Sequence, residues 1–157
     1  MTFRHLTEEL NGIGPLVGKD FQVIIISFDP RDTSQGALNQ KINCVRAYKS
    51  PRNGIGWHFL TGTANSIAAV TRAAGFHYSF DSRTHRYIHP AGVIVLSPAG
   101  KITHVFGGID APPADIESAL HDAALGRTSR VDQAYQQYCV DYDPTLTPRG
   151  RKITRIL

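Results

Sequence analysis

The apolar residues of this chain fall into short runs with two different spacings. Phe21-Gln22-Val23-Ile24-Ile25-Ile26-Ser27 and Gly92-Val93-Ile94-Val95-Leu96 are nearly continuous and β-branched. That is the pattern of strands covered on both faces. Trp57–Leu60 is a shorter strand of the same kind. Elsewhere the spacing changes to three and four, which predicts helices. Phe3, Leu6 and Leu10 mark Thr2–Leu10, and Leu38, Ile42 and Val45 mark Ser34–Ala47. Ile67, Val70 and Ala74 mark a helix capped by Thr61 or Thr63 and stopped at Gly75. Ile116, Ala119, Leu120 and Ala123 point inward from a helix running from Pro112-Pro113 to Gly126.

Turn chemistry separates these elements. Asn11-Gly12-Ile13-Gly14-Pro15 breaks the first helix. Asp29-Pro30 closes the first strand, because proline lacks an amide donor and restricts its predecessor. Asp32 or Thr33 then caps the next helix, with Gln35 three residues after Asp32 as in a capping box. Tyr78-Ser79-Phe80 leads into a polar excursion from Asp81 to Tyr87, and Ser97–Lys101 turns the chain into a hairpin strand at Ile102–Phe106. The resulting order is helix, strand, helix, strand, helix, strand, hairpin strand, helix. The expected class is α/β with a thioredoxin-like fold: a central sheet with flanking helices, lacking its N-terminal strand. Residues 1–127 form one domain and 128–157 a polar, basic tail, with Tyr135, Tyr138 and Tyr142 as anchors. Asn-Gly-Ile-Gly occurs at both 11–14 and 53–56, but four turn-forming residues do not make a repeat.

Composition narrows the classes. Hydrophobic residues make up 41% and charged residues 19% of 157, which suits one globular domain rather than a disordered chain. No apolar run near either end is long enough to cross a bilayer, and no charged-then-apolar signal region opens the chain. The net charge of +4 owes much to Arg149, Arg151, Lys152 and Arg155 in the tail. No nucleic-acid-binding motif accompanies them, and charge alone supplies only nonspecific attraction, so no nucleic-acid partner is expected.

Few residues offer chemistry. His89, in a loop before a strand, is either a metal ligand or a histidine satisfied by backbone and water. His77, His85 and His89 with Asp81 form a second candidate cluster, although Pro90 and the strand-like flanks argue against a helix that would align 85 with 89. Cys44 falls beside an apolar helical stripe and reads as a buried structural thiol, whereas Cys139 lies in the tail beside aromatic residues. The two are far apart and form no redox or metal motif. No catalytic residue is identified.

Three strings carry a resemblance. Phe28-Asp29-Pro30-Arg31-Asp32-Thr33 closes a strand, Trp57-His58-Phe59-Leu60-Thr61-Gly62 follows, and His89-Pro90-Ala91-Gly92 precedes the strand at 93–96. In this order they resemble the SCO/SenC family of thioredoxin-like copper proteins, from about Phe21 to Gly126. Tyr138-Cys139-Val140-Asp141-Tyr142-Asp143-Pro144 looks more loosely like the family's Cys-x-x-Tyr-Asp-Pro tail. The resemblance implies a copper chaperone or thiol-redox assembly factor for the binuclear copper centre of cytochrome c oxidase. It also implies the copper-bearing oxidase subunit as partner, and a periplasmic or inner-membrane-tethered location. In the family a histidine and a Cys-x-x-x-Cys pair hold the metal, and two thiolates beside an imidazole favour Cu(I).

His89 matches that histidine, and Pro90 falls near the family's cis-proline loop. Ile88 stands where an aspartate often precedes the histidine, and the cysteine pair has no counterpart. The family's cysteines lie just before the helix whose far end corresponds to Thr2–Leu10. Without them no low-pKa thiolate sits at a helix N-terminus, so thiol–disulfide exchange is not expected and copper binding should be weak. A peroxidase finds less support still, since no Thr-x-x-Cys motif occurs. The alternative is a thioredoxin-like scaffold acting through protein contacts. With a sheet strand missing, self-association through the gap is expected in either case.

Overall fold

A computed structural model describes residues 3–49, 54–108 and 111–128. The helices are α1 (Phe3–Leu10), α2 (Ser34–Ala47), α3 (Ala64–Ala73) and α4 (Pro113–Ala124). The strands are β1 (Val23–Ile26), β2 (Trp57–Leu60), β3 (Ser79–Asp81), β4 (Arg86–Ile88), β5 (Gly92–Leu96) and β6 (Ile102–Gly107). The order of helices and strands is that of an α/β, thioredoxin-like fold. The expected tail, with Cys139, Tyr135, Tyr138 and Tyr142, lies outside the described residues.

Strand pairing departs from a single sheet. β1 runs parallel to β2, from Val23 opposite Trp57 to Ile26 opposite Leu60. β5 and β6 form an antiparallel pair with an irregularity at Val95/Leu96. Among the described residues no ladder joins β1 to β5. Side chains make the connection instead. Val23, Ile25 and Phe59 pack on a core of Leu10, Ile13, Val17, Cys44, Tyr48, Trp57, Ala111 and Ile116. Phe106 and Leu120 touch both that core and the cluster of Val95, Ala119 and Ala123 beneath α4.

Local chemistry explains the helix boundaries. The Thr33 hydroxyl accepts from the Gly36 amide at 3.1 Å and opens α2, so Thr33 rather than Asp32 is the cap. Gln35 forms no capping box; its amide nitrogen donates to Asn39 Oδ1. Thr63 rather than Thr61 caps α3. At the far end of α2, the Asn11 side chain donates to the Ala47 carbonyl and accepts from the Lys49 amide. This satisfies backbone groups that the helix end would otherwise leave unpaired. The Tyr48 hydroxyl accepts from the buried Val17 amide at 3.1 Å while its ring meets Trp57 edge-on.

Four expectations need correction. The first strand is not covered on both faces: Val23 and Ile25 turn to the core, whereas Ile24 is 55% exposed and Ile26 is also exposed. The core of α1 and α2 side chains lies against one face of β1, and the pleat sends alternate residues to the other. The α2 stripe is also displaced. Cys44 and Tyr48 go inward and Val45 is half-buried, but Leu38 and Ile42 are exposed, because the Cys44–Tyr48 line is the one facing α1 and Trp57. Third, the polar excursion expected from Asp81 to Tyr87 belongs to the β3–β4 hairpin, in which Ser79, Phe80 and Asp81 pair with Ile88, Tyr87 and Arg86. On α3, Ile67 is buried but Val70 is exposed.

The chain crosses itself where Gly18 meets Gly56, and both have positive φ. A Cβ on Gly56 would fall on the backbone N and Cα of Gly18, next to the Gly56 carbonyl that receives the Val23 amide. Gly56→Ala is expected to cost about 2–5 kcal/mol from left-handed strain plus overpacking. Gly100 also has positive φ but faces open space, so Gly100→Ala should cost only about 1–2 kcal/mol. Urea unfolding of the two variants checks the contrast, and equal losses would contradict it.

Candidate functional site

The FDPRDT and HPAG strings, sixty residues apart in the chain, meet at the ends of β1 and β5. Phe28 is the meeting point. Its ring centroid lies 4.8 Å from that of His89, 5.2 Å from Tyr78, 5.3 Å from Tyr87 and 5.7 Å from Phe76. Phe80 extends the group, 5.1 Å from Tyr87. Ring pairs at such separations contribute about 0.5–1.5 kcal/mol each beyond the area they bury. Phe28 can reach this position because Asp29-Pro30 ends β1 and turns the chain immediately after it.

Arg31 covers the outside of the group. Its guanidinium carbon lies 5.4 Å from the Phe80 ring centroid and 5.7 Å from that of Tyr87. The same guanidinium grips Asp29 in a fork, Nη2 to Oδ2 at 2.6 Å and Nε to Oδ1 at 2.9 Å. The Arg31 amide also donates to Asp29 Oδ1, which tightens the turn. Hydrogen bonding from Arg31 holds the Asp29 carboxyl below its ordinary range. Nearby, the Ser27 hydroxyl donates to Asp32 Oδ2 at 2.5 Å.

His89 is half-buried between Phe28 and Phe76. Its Nδ1 lies 2.9 Å from the Pro90 carbonyl oxygen. A carbonyl only accepts, so Nδ1 carries a proton, and in the neutral imidazole the lone pair is then on Nε2. The His89–Pro90 bond is trans. The other candidates are not gathered here. Asp81 accepts from the Arg83 and Thr84 amides in the hairpin turn, and these bonds lower its carboxyl. His85 takes a left-handed conformation in that turn with its ring edge toward Phe80. Among the described residues, no group of three His, Cys, Asp or Glu side chains could hold a metal ion. The proposed cluster of His77, His85, His89 and Asp81 therefore does not form.

Cys44 belongs to the main core, apart from the aromatic group. Burial raises its thiol pKa, and a hydrogen bond with Thr7 partly offsets the rise. Sequence reasoning singled out His89 but missed Phe28, Arg31 and Tyr87 as its surround. The available signal was the aromatic density at Phe76, Tyr78, Phe80 and Tyr87, alternating with polar residues as strand residues do.

No family model and no curated protein matches the chain. Solved structures do. The chain is similar to a candidate electron transfer protein from Aquifex aeolicus VF5, with 26% identity and a TM-score of 0.66 over 81% of this chain and 70% of that one. A candidate electron transport protein from the same organism aligns with 26% identity and a TM-score of 0.61, over 77% of this chain and 69% of that one.

Burial of Cys44 has a measurable consequence. Alkylation at Cys44, located by mass spectrometry, should be much slower in the native protein than in urea. With the folded thiol pKa above the unfolded one, the unfolded chain loses this proton first as pH rises. The contribution to stability is thus present below the unfolded thiol pKa and declines as pH climbs through the folded one. Equal native and denatured alkylation rates would show that the thiol is not enclosed.

Proposed function

We propose that this chain is a copper-handling module of the SCO/SenC kind, with copper as its cargo and His89 as one of the ligands that meet it. The observation that carries this reading is the Nδ1 contact with the Pro90 carbonyl, which leaves the Nε2 lone pair open. A neutral imidazole ligated through one nitrogen, with the other hydrogen-bonded to a backbone carbonyl, is a common metal-binding arrangement. It suits both Cu(I) and Cu(II). The order of the FDPRDT, WHFLTG and HPAG strings supports the assignment. The electron-transfer descriptions of the similar Aquifex structures are compatible with it.

One imidazole does not fill a copper coordination sphere, and among the described residues His89 belongs to no group of three His, Cys, Asp or Glu side chains that could hold a metal ion. In this reading the remaining ligands, two thiolates by resemblance, come from outside the described residues. Delivery to the copper-bearing subunit of cytochrome c oxidase, in a periplasmic or inner-membrane-tethered setting, is part of the same proposal. Among the described residues no helix is long and apolar enough to cross a membrane.

A second reading, a scaffold without metal chemistry, is favoured by a different observation. No described strand pairs with the free edge of β1 or of β5, and Ile24, Ile26 and Leu60 are exposed beside the first. Unpaired edges with apolar neighbours invite strand pairing between molecules. Here the chain acts through contacts, self-association included.

Cu(I) titration against a competing chelator separates the two. The copper reading expects weak binding, at least about tenfold weaker in His89→Ala, a loss of about 1.4 kcal/mol. Adding an upstream Cys-x-x-x-Cys segment should tighten it. Strong stoichiometric binding untouched by His89→Ala would overturn the assignment of His89. Under the scaffold reading, sedimentation should show concentration-dependent association that Ile24→Lys reduces; a protein monomeric at all concentrations would count against it.

A further inference from the structure

The β3–β4 hairpin is held to the rest of the protein in an unusual way. Its two strands pair with each other, and among the described residues no other helix or strand packs extensively against them. Ring contacts and one cation attach it instead. Tyr87 of β4 lies edge-on to Phe28, and Tyr78, just before β3, lies 5.2 Å from the same ring. Phe80 and Tyr87, opposite each other in the hairpin register, lie under the Arg31 guanidinium.

This attachment leads directly to His89. Ile88 ends β4 and His89 is the next residue, so a shift of the hairpin moves the backbone that carries the imidazole. Phe28 touches both the hairpin rings and His89. Arg31 closes the arrangement from outside, three residues after Phe28. Its fork on Asp29 fixes the plane of the guanidinium and holds its carbon 5.4 and 5.7 Å from the two ring centroids, a directional anchoring that a lysine ammonium cannot reproduce. The Arg31 side chain is 63% exposed, so the ion pair itself adds little to global stability. Its effect is local.

We propose that Arg31 is a positioning residue for His89: anchored by Asp29, it pins the β3–β4 hairpin over Phe28 and thereby holds the imidazole with Nδ1 on the Pro90 carbonyl and Nε2 open. The functional meaning of this rests on the copper reading, but the positioning does not. Releasing Arg31 lets the hairpin rock. His89 then loses its fixed contact and drifts toward the Nε2–H form that an imidazole prefers in water, which occupies the nitrogen meant for a ligand.

The test uses the whole metal-free chain, with nitrogen NMR of the imidazole at a pH where it is neutral and amide hydrogen exchange across 79–88. The unaltered protein should show the Nδ1–H signature. Arg31→Ala should shift His89 toward Nε2–H and speed hairpin exchange roughly two- to fivefold, the size of a partly exposed cation–π contact, with little change in melting temperature. Arg31→Lys should fall between, since it keeps the cation and loses the fork. If Arg31→Ala lowers the melting of the whole domain, Asp29→Asn decides on the same two readouts, because it leaves Arg31 in place and weakens its anchor. Unchanged tautomer and hairpin exchange in the deciding variant would overturn the proposal, whatever copper does. A shifted tautomer in a protein whose copper binding ignores His89 would sink the copper reading and leave the positioning role standing.

Discussion

Because no backbone ladder joins β1 to β5 among the described residues, side-chain packing has to hold the two strand pairs together, and Trp57 is central to that packing. Trp57 is almost fully buried, with Tyr48 edge-on and Phe59 stacked beside it. Enclosing a side chain of this size is worth on the order of 4–6 kcal/mol from area alone. Its indole nitrogen has no hydrogen-bond partner among the described residues, which offsets part of that gain. Phe106 completes the bridge by touching the clusters on both sides.

The same seam locates the candidate site. Phe28 follows β1 and His89 precedes β5, so their contact joins the two halves at one end much as Phe106 joins them through the core. The site is built from rings and one clamped cation, with few hydrogen bonds across the seam. Ring packing is tolerant of small displacement, whereas the fork between Arg31 and Asp29 is directional. Directional contacts at the site are therefore few: the Arg31–Asp29 fork in the FDPRDT turn and the His89 Nδ1 contact with the Pro90 carbonyl. A half-buried imidazole between two apolar rings also has few competing partners, which leaves its free nitrogen to whatever approaches from outside.

Electrostatics elsewhere is mostly superficial. Arg4 and Glu8 form an exposed pair one helical turn apart, and pairs of this kind contribute little. His104 meets Asp122 at 3.8 Å in a more enclosed setting, linking β6 to α4. Glu9 is more consequential for the fold. One of its oxygens accepts the Ala111 amide ahead of α4, tying the first helix to the last.

The sequence by itself determined the elements whose cause is local. Apolar spacing placed four helices, β-branched runs placed β1 and β5, and capping chemistry narrowed two helix starts to Asp32 or Thr33 and to Thr61 or Thr63, leaving the structure to choose the second of each pair. The FDPRDT and HPAG strings carried the family resemblance by their order in the chain, and of their residues only His89 was marked as a site residue. Only tertiary structure decided which face of each element was enclosed. Leu38 and Ile42 satisfy helical periodicity as well as Cys44 and Tyr48 do, but the second pair faces Trp57 and α1, and periodicity cannot rank two stripes without knowing what lies opposite. The hairpin at 79–88 and its ring contacts were hidden for a related reason. Short strands with polar turns declare themselves only when a surface receives them, and here that surface is Phe28, fifty residues earlier. The relation between Arg31 and His89 is a contact between distant segments, and it exists only once the chain has folded.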